Sequence, residues 1–161
     1  MVVGANDMPL VSVVMPTYRR ENTLKRAIKS VLGQTYKNLE LIVVNDNGDD
    51  GWFTPIVRDI VGACSKIDDR VRLLEPSVHK NGAFARNRGV EAASGELLAF
   101  LDDDDWWEPE KIAHQVESFV SLSDDWGVVS CRVKRYRGDE LLSILPKHPD
   151  GYVYKDVMLI V

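Results

Sequence analysis

The sequence predicts an α/β fold: a mostly parallel β-sheet, doubly wound and flanked by helices, in one domain over residues 1–161. Three observations predict it. Short, β-rich apolar runs alternate with segments whose apolar residues recur at helical spacing, and the connections between them are short. The strand runs are continuous rather than alternating, as expected where helices cover both faces of a sheet. A chain of 161 residues is also long enough to bury a real core.

The elements follow in order. Residues 11–15 (VSVVM) form a first strand stopped by Pro16. From Asn22, apolar residues at Leu24, Ala27, Ile28, Val31 and Leu32 make a helical stripe closed by Gly33. Residues 39–44 are a second strand, followed by the loop-forming Asn45-Asp46-Asn47-Gly48-Asp49-Asp50. A helix over residues 54–65 presents Ile56, Val57, Ile60, Val61 and Cys64 on one side, and residues 71–75 are a third strand. Residues 83–93 form a helix whose Ala85, Gly89, Ala92 and Ala93 let it lie close to the sheet, at a cost of about 1 kcal/mol for Gly89. Residues 96–101 are a fourth strand, its Leu97 to Leu101 run reading as buried on both faces. Residues 109–122 are a helix opened by Pro109. Residues 127–136 and 141–145 read as two strands of a hairpin turning at Arg137-Gly138-Asp139. The final Lys155 to Val161 ends on an apolar run with no stop signal, which predicts a fragment whose next elements follow.

A net charge of −5 argues against general nucleic-acid affinity. Cys64 and Cys131 lie in apolar surroundings without motif spacing and read as buried, reduced thiols. The opening residues lack a signal peptide, and no run reaches bilayer length. These features predict a cytoplasmic protein, with peripheral association at the inner face of the membrane left open through segments beyond this chain.

In open α/β sheets, ligands bind beyond the carboxyl ends of the strands. All four of the first strands end there in a distinctive polar segment: Pro16-Thr17-Tyr18-Arg19-Arg20, Asn45-Asp46-Asn47, His79-Lys80-Asn81-Gly82 and Asp102-Asp103-Asp104-Asp105. Four adjacent carboxylates repel one another unless solvated or offset by a cation, and hard divalent ions complete an oxygen shell with substrate phosphates. The acidic run therefore reads as a metal–diphosphate platform, although helix-capping aspartates are a second reading of part of it. Tyr18 suits stacking on a nucleobase or packing as a loop aromatic. Asp46 suits accepting from uracil's imide N–H, or holding an Asx turn. Gly82 at a helix start, with Lys80 and Arg86, makes a phosphate site, while Arg86 and Arg88 also fit a solvated helix face. His79 has no partner visible in the sequence and reads as a loop histidine. Gly-x-Gly-x-x-Gly, Walker and Gly-x-Ser-x-Gly motifs are absent, and three histidines are too scattered for a zinc site.

Several of these segments together resemble the family 2 glycosyltransferases of GT-A fold: residues 11–18 (VSVVMPTY), 30–36 (SVLGQTY), 40–46 (ELIVVND), Asn81-Gly82, Ala85-Arg86-Asn87-Arg88-Gly89, Gly95-Glu96 and residues 100–107 (FLDDDDWW). The resemblance spans about residues 10–120, in order and at suitable spacing. It implies a nucleotide-sugar donor, most often UDP-linked, with Mn²⁺ or Mg²⁺. Pro16, Thr17 and Tyr18 would line the nucleoside pocket and Asp46 would recognise uracil. Arg86 would lie near the phosphates and Asp103 near the ribose. Asp102 and Asp104 would hold the metal, Asp104 most directly. Inverting transfer to a glycan, lipid-linked or protein acceptor is implied, as in polysaccharide biosynthesis, with metal-assisted departure of the diphosphate.

This chain departs from the family's usual Asp-Asp-Gly-Ser after the second strand, carrying Asn45-Asp46-Asn47-Gly48 and keeping the uracil-facing carboxylate. The family's catalytic base lies downstream, past Val161, and Asp124, Asp125 and Asp139 do not sit in its context. Two other readings remain at this point: a non-catalytic nucleotide-sugar-binding module, and a sugar nucleotidyltransferase. The latter normally carries a Gly-rich basic loop where this chain has Pro16-Thr17-Tyr18.

Overall fold

A computed structural model describes residues 8–123 and 127–145. The chain divides into two compact units, Met1–Ala113 and His114–Val161.

The first unit carries β1 (Val11–Thr17), α1 (Glu21–Leu32), β2 (Leu39–Asn45), α2 (Phe53–Ser65), β3 (Val71–Leu74), α3 (Gly82–Glu91) and β4 (Leu97–Phe100), as the alternation predicts. The four strands form one parallel sheet in the order β3-β2-β1-β4. From β1 the chain steps outward through α1 and α2 to β3, then α3 carries it back across the sheet to β4. Right-handed crossovers therefore put α1 and α2 on one face and α3 on the other. The reversal leaves β1 and β4 adjacent, so their carboxyl ends border the crevice where ligands of such sheets bind.

The central strands are buried on both faces, with Val13, Val14 and Met15 of β1 and Leu41 to Val44 of β2 at 0% exposure. Val14, Ile42 and Val44 cluster with Ala85 of α3. By strand alternation, Val13, Met15, Leu41 and Val43 face the other helices, and α1 buries Leu24, Ala27, Ile28 and Val31. The close approach of α3 rests on Gly89, where an added Cβ would collide with the Val14 side chain. Gly89→Ala gains about 1 kcal/mol of helix propensity but loses about 1–3 kcal/mol to overpacking. A net loss of up to about 2 kcal/mol is expected, read as a lower urea midpoint.

Three expectations are corrected. Pro16 does not stop β1, which runs on to Thr17 with Pro16 opposite Val44. Pairing with β4 ends at Val14↔Phe100, so the proline sits where β1 has a neighbour on one side only and its missing N–H costs little. The β4 run is not buried on both faces: β4 is an edge strand, and Leu98 and Phe100 are 45% and 47% exposed. Cys131 is exposed, whereas Cys64 is buried; both are free.

Helix α4 (Lys111–Ser121) runs from the first unit into the second. The second unit contains the expected antiparallel hairpin, β5 (Lys134–Arg137) with β6 (Glu140–Ile144), turning through Gly138 at φ 58°. Its first strand is shorter than the sequence suggests. Residues 127–133 are not in regular structure, and there the Val129 carbonyl accepts from the Gln115 side chain at 2.9 Å.

Candidate functional site

The carboxyl ends of β1, β2 and β4, with the start of α3, enclose a cleft of about 350 Å³. Eight residues assigned to the nucleotide or the metal from the family resemblance line it: Pro16, Thr17, Tyr18, Asp46, Arg86, Asp102, Asp103 and Asp104. Arg20, His79 and Gly82 line it as well.

A polar network behind the cleft's lining links three strand ends. Glu75 after β3 accepts from Arg58 Nε at 3.0 Å and from Asn45 Nδ2 at 3.1 Å. Asn45 Oδ1 in turn accepts from Asn47 Nδ2 at 2.7 Å, and Asn47 Oδ1 accepts from the Arg19 N–H at 3.1 Å. That last bond helps hold Arg19 at φ 55°, in the left-handed region that few non-glycine residues adopt. An amide both donates and accepts, so Asn45 gives a hydrogen bond to the Glu75 carboxylate, which the aspartate of Asp-Asp-Gly-Ser could not do when ionised, and takes one from Asn47.

Asp46 is almost wholly buried, its side chain 3% exposed. Its Oδ1 accepts from the Lys80 N–H at 3.3 Å, and its Oδ2 lies 3.0 Å from His79 Nδ1. The same Nδ1 lies 2.7 Å from the Asp46 carbonyl oxygen. The His79 ring stacks on Tyr18, with centroids 4.1 Å apart and planes 13° from parallel. His79, which looked partnerless in the sequence, is thus one of the most engaged side chains of the cleft. Its partners come from two other strand ends, and no local spacing could have revealed them.

On the acidic side, Arg20 Nη1 bonds Asp104 Oδ2 at 2.6 Å, Arg26 holds the Asp104 carbonyl at 2.9 Å, and Arg86 pairs with Asp102. Asp103 points inward and is buried; its Oδ2 and the Thr17 hydroxyl oxygen have no hydrogen-bond partner among the described residues. Burial, with the neighbouring Asp104 charge, pushes the Asp103 carboxyl above the usual carboxylate range, outweighing the opposing pull of the Tyr18 N–H and Arg20. Lys80 departs from expectation: its ammonium lies 4.5 Å from the Phe84 ring centroid and does not line the cleft. Arg88 pairs with Glu91 along the helix, which fits the solvated-face reading. Asn81 caps α3 by accepting from the Phe84 N–H at 2.8 Å, so the helix start at Gly82 is well formed beside Arg86.

No group of three or more His, Cys, Asp or Glu side chains able to hold a metal occurs among the described residues. Asp102 and Asp104 are the carboxylates that could offer oxygen donors to a hard divalent ion: both lie on the cleft wall, 52% and 40% exposed, and each is paired with an arginine. Mg²⁺-like ions commonly take only one or two protein carboxylates, the rest of the shell coming from phosphate and water. Asp139 lies in the exposed hairpin turn, and Asp124 and Asp125 lie outside the described residues.

Residues 12–155 match the family model described as glycosyl transferase family 2. The Escherichia coli UDP-Glc:alpha-D-GlcNAc-diphosphoundecaprenol beta-1,3-glucosyltransferase WfgD is 39% identical over 71% of the chain and 42% of its own length. A Campylobacter jejuni GalNAc(5)-diNAcBac-PP-undecaprenol beta-1,3-glucosyltransferase is 40% identical over 61% of the chain and 30% of its own length. Among solved structures, the Pyrobaculum calidifontis mannosyltransferase PcManGT, in complex with GDP-Man and Mn²⁺, superposes with a TM-score of 0.64. It is 26% identical, with 79% of this chain and 36% of that one covered. The chain thus spans less than half the length of each of these proteins.

Proposed function

The chain belongs to glycosyl transferase family 2, and from that membership we propose that it is the donor-binding part of a glycosyltransferase. The donor is a nucleotide-sugar, UDP-linked by the reading of Asp46 as the acceptor for an imide N–H. The whole protein transfers the sugar with inversion to a glycan acceptor, the lipid-linked diphosphate class of the relatives above being favoured over protein. One observation carries the proposal: a stacking aromatic, a buried carboxylate, a guanidinium at a helix start and an acidic pair converge on one cleft at the sheet's switch point.

The roles follow from position. Tyr18 offers its ring to the base and Asp46 accepts from it, while Pro16 and Thr17 wall the nucleoside. Asp103 Oδ2, buried and unpartnered, suits a ribose hydroxyl, which would satisfy it. Asp102 and Asp104 would hold Mn²⁺ or Mg²⁺, which when bound offsets the charge gathering on the departing diphosphate. Arg86 and Arg20, paired with those two carboxylates, are placed to exchange them for phosphate oxygens. The base that takes the acceptor's proton belongs to the portion of family members that this chain does not span.

No helix among the described residues is long and apolar enough to cross a membrane. A place on the cytoplasmic face of the membrane would bring a UDP-sugar and a lipid-linked acceptor together. Titration calorimetry of UDP into this chain, with Mn²⁺ and then with EDTA, tests the proposal. Chelation is expected to weaken binding by about tenfold or more, equivalent to ~1.4 kcal/mol. UDP that fails to bind, or binds equally in EDTA, would overturn it.

A further inference from the structure

We propose that His79 holds the place of the nucleobase and sets the affinity of the nucleoside subsite, a base entering only by displacing its ring; the inference rests on the nucleotide reading above. Two features would serve a base here, and His79 occupies both. Its ring covers a face of Tyr18 at stacking distance, and its Nδ1 lies 3.0 Å from Asp46 Oδ2. Both Asp46 groups that Nδ1 meets, the carboxylate and the carbonyl, can only accept, so Nδ1 carries a hydrogen and donates. A flat ring with an N–H donor on a carboxylate is also what a base such as uracil presents.

Exposure distinguishes the two partners. The His79 side chain is 41% exposed and that of Asp46 only 3%, so the imidazole is the accessible member of the pair and the carboxylate, which also lines the cleft, is the buried one. The backbone beneath is pinned. Lys80 N–H bonds Asp46 Oδ1, and Gly48, at φ 59°, lies so close that an added Cβ would come within 2.9 Å of the His79 nitrogen. The ring, with one side in solvent, can therefore swing out while the loop stays in place. Asp46 keeps its Lys80 bond throughout and exchanges one N–H donor for another. A ligand that must first displace this ring binds more weakly than the bare subsite allows, by the fraction of time the subsite is open.

The test measures UDP and pyrophosphate binding to the full 161-residue chain and to its His79→Ala variant, with Mn²⁺ present. The variant is expected to bind UDP about three- to tenfold more tightly, the range set by one stacked ring pair, with pyrophosphate affinity unchanged. Unchanged or weaker UDP binding by a folded variant overturns the inference and leaves the nucleotide reading standing. Absence of UDP binding by either chain overturns both.

A second measurement needs no variant to fold. In the native chain, the Tyr18 ring current is expected to displace the His79 ring-proton resonance upfield, and saturating UDP to release it downfield. A resonance that keeps its place at saturation overturns the inference.

Discussion

Asp104→Asn is expected to weaken Mn²⁺-supported UDP binding by about 10- to 100-fold while leaving metal-free binding equal or tighter. The size follows from the losses usual when the support of a metal site is removed, Asp104 being a direct ligand under the proposed function. The sign in the absence of metal comes from Arg20. Its guanidinium bonds Asp104 Oδ2 at 2.6 Å, and with the charge gone it is freed to meet a phosphate. Asparagine keeps the shape and the Arg26 contact, since that contact is to the main-chain carbonyl. Calorimetry with Mn²⁺ and with EDTA separates the two effects. A parallel loss in both conditions would mean that Asp104 shapes the loop rather than binding metal.

Gln34→Leu is expected to lower stability by about 2–4 kcal/mol, because Gln34 is wholly buried and fully used. Its amide donates to the Ser30 carbonyl at 3.0 Å and to the Glu108 carbonyl at 2.8 Å, and its oxygen accepts from the Ile112 N–H at 2.9 Å. Nearby, Ser30 Oγ accepts from the Trp107 N–H at 3.1 Å and the Thr35 N–H donates to the Pro109 carbonyl at 2.8 Å. The end of α1 thus grips the chain just after the acidic run. Leucine has similar bulk but no polar atoms, leaving a buried N–H without a partner. Urea unfolding measures the loss, and UDP titration should show weaker binding even where the variant remains folded. A change under 0.5 kcal/mol, the range of ordinary surface substitutions, would contradict this account.

The fold was legible because the apolar runs over residues 11–15 and 39–44 belong to the buried central strands, and helical periodicity marked α1 and α2. The cleft was legible because its residues cluster at successive strand ends, which a parallel sheet must bring to one edge. Beyond that point the sequence was silent for physical reasons. β4 has the apolar content of a central strand, and its exposed edge depends on which neighbours pair with it. The partners of His79, Gln34 and Asn45 are set by tertiary approach across 30 or more residues, in several cases through main-chain atoms that any residue supplies. Lys80 shows the converse: its composition suited an anion site, and a nearby aromatic ring drew its charge away.

The two flanks of the sheet greet a visiting strand differently. The β3 flank carries Arg72, bonded to Glu40 and to the Ala92 carbonyl, and that fixed charge discourages company. Among the described residues, no strand pairs with the β4 flank, which leaves main-chain groups turned away from β1 beside the half-exposed Leu98 and Phe100. An unpaired edge of that kind is a template on which another strand can zip, so this polypeptide taken by itself should keep apart from its copies better when dilute.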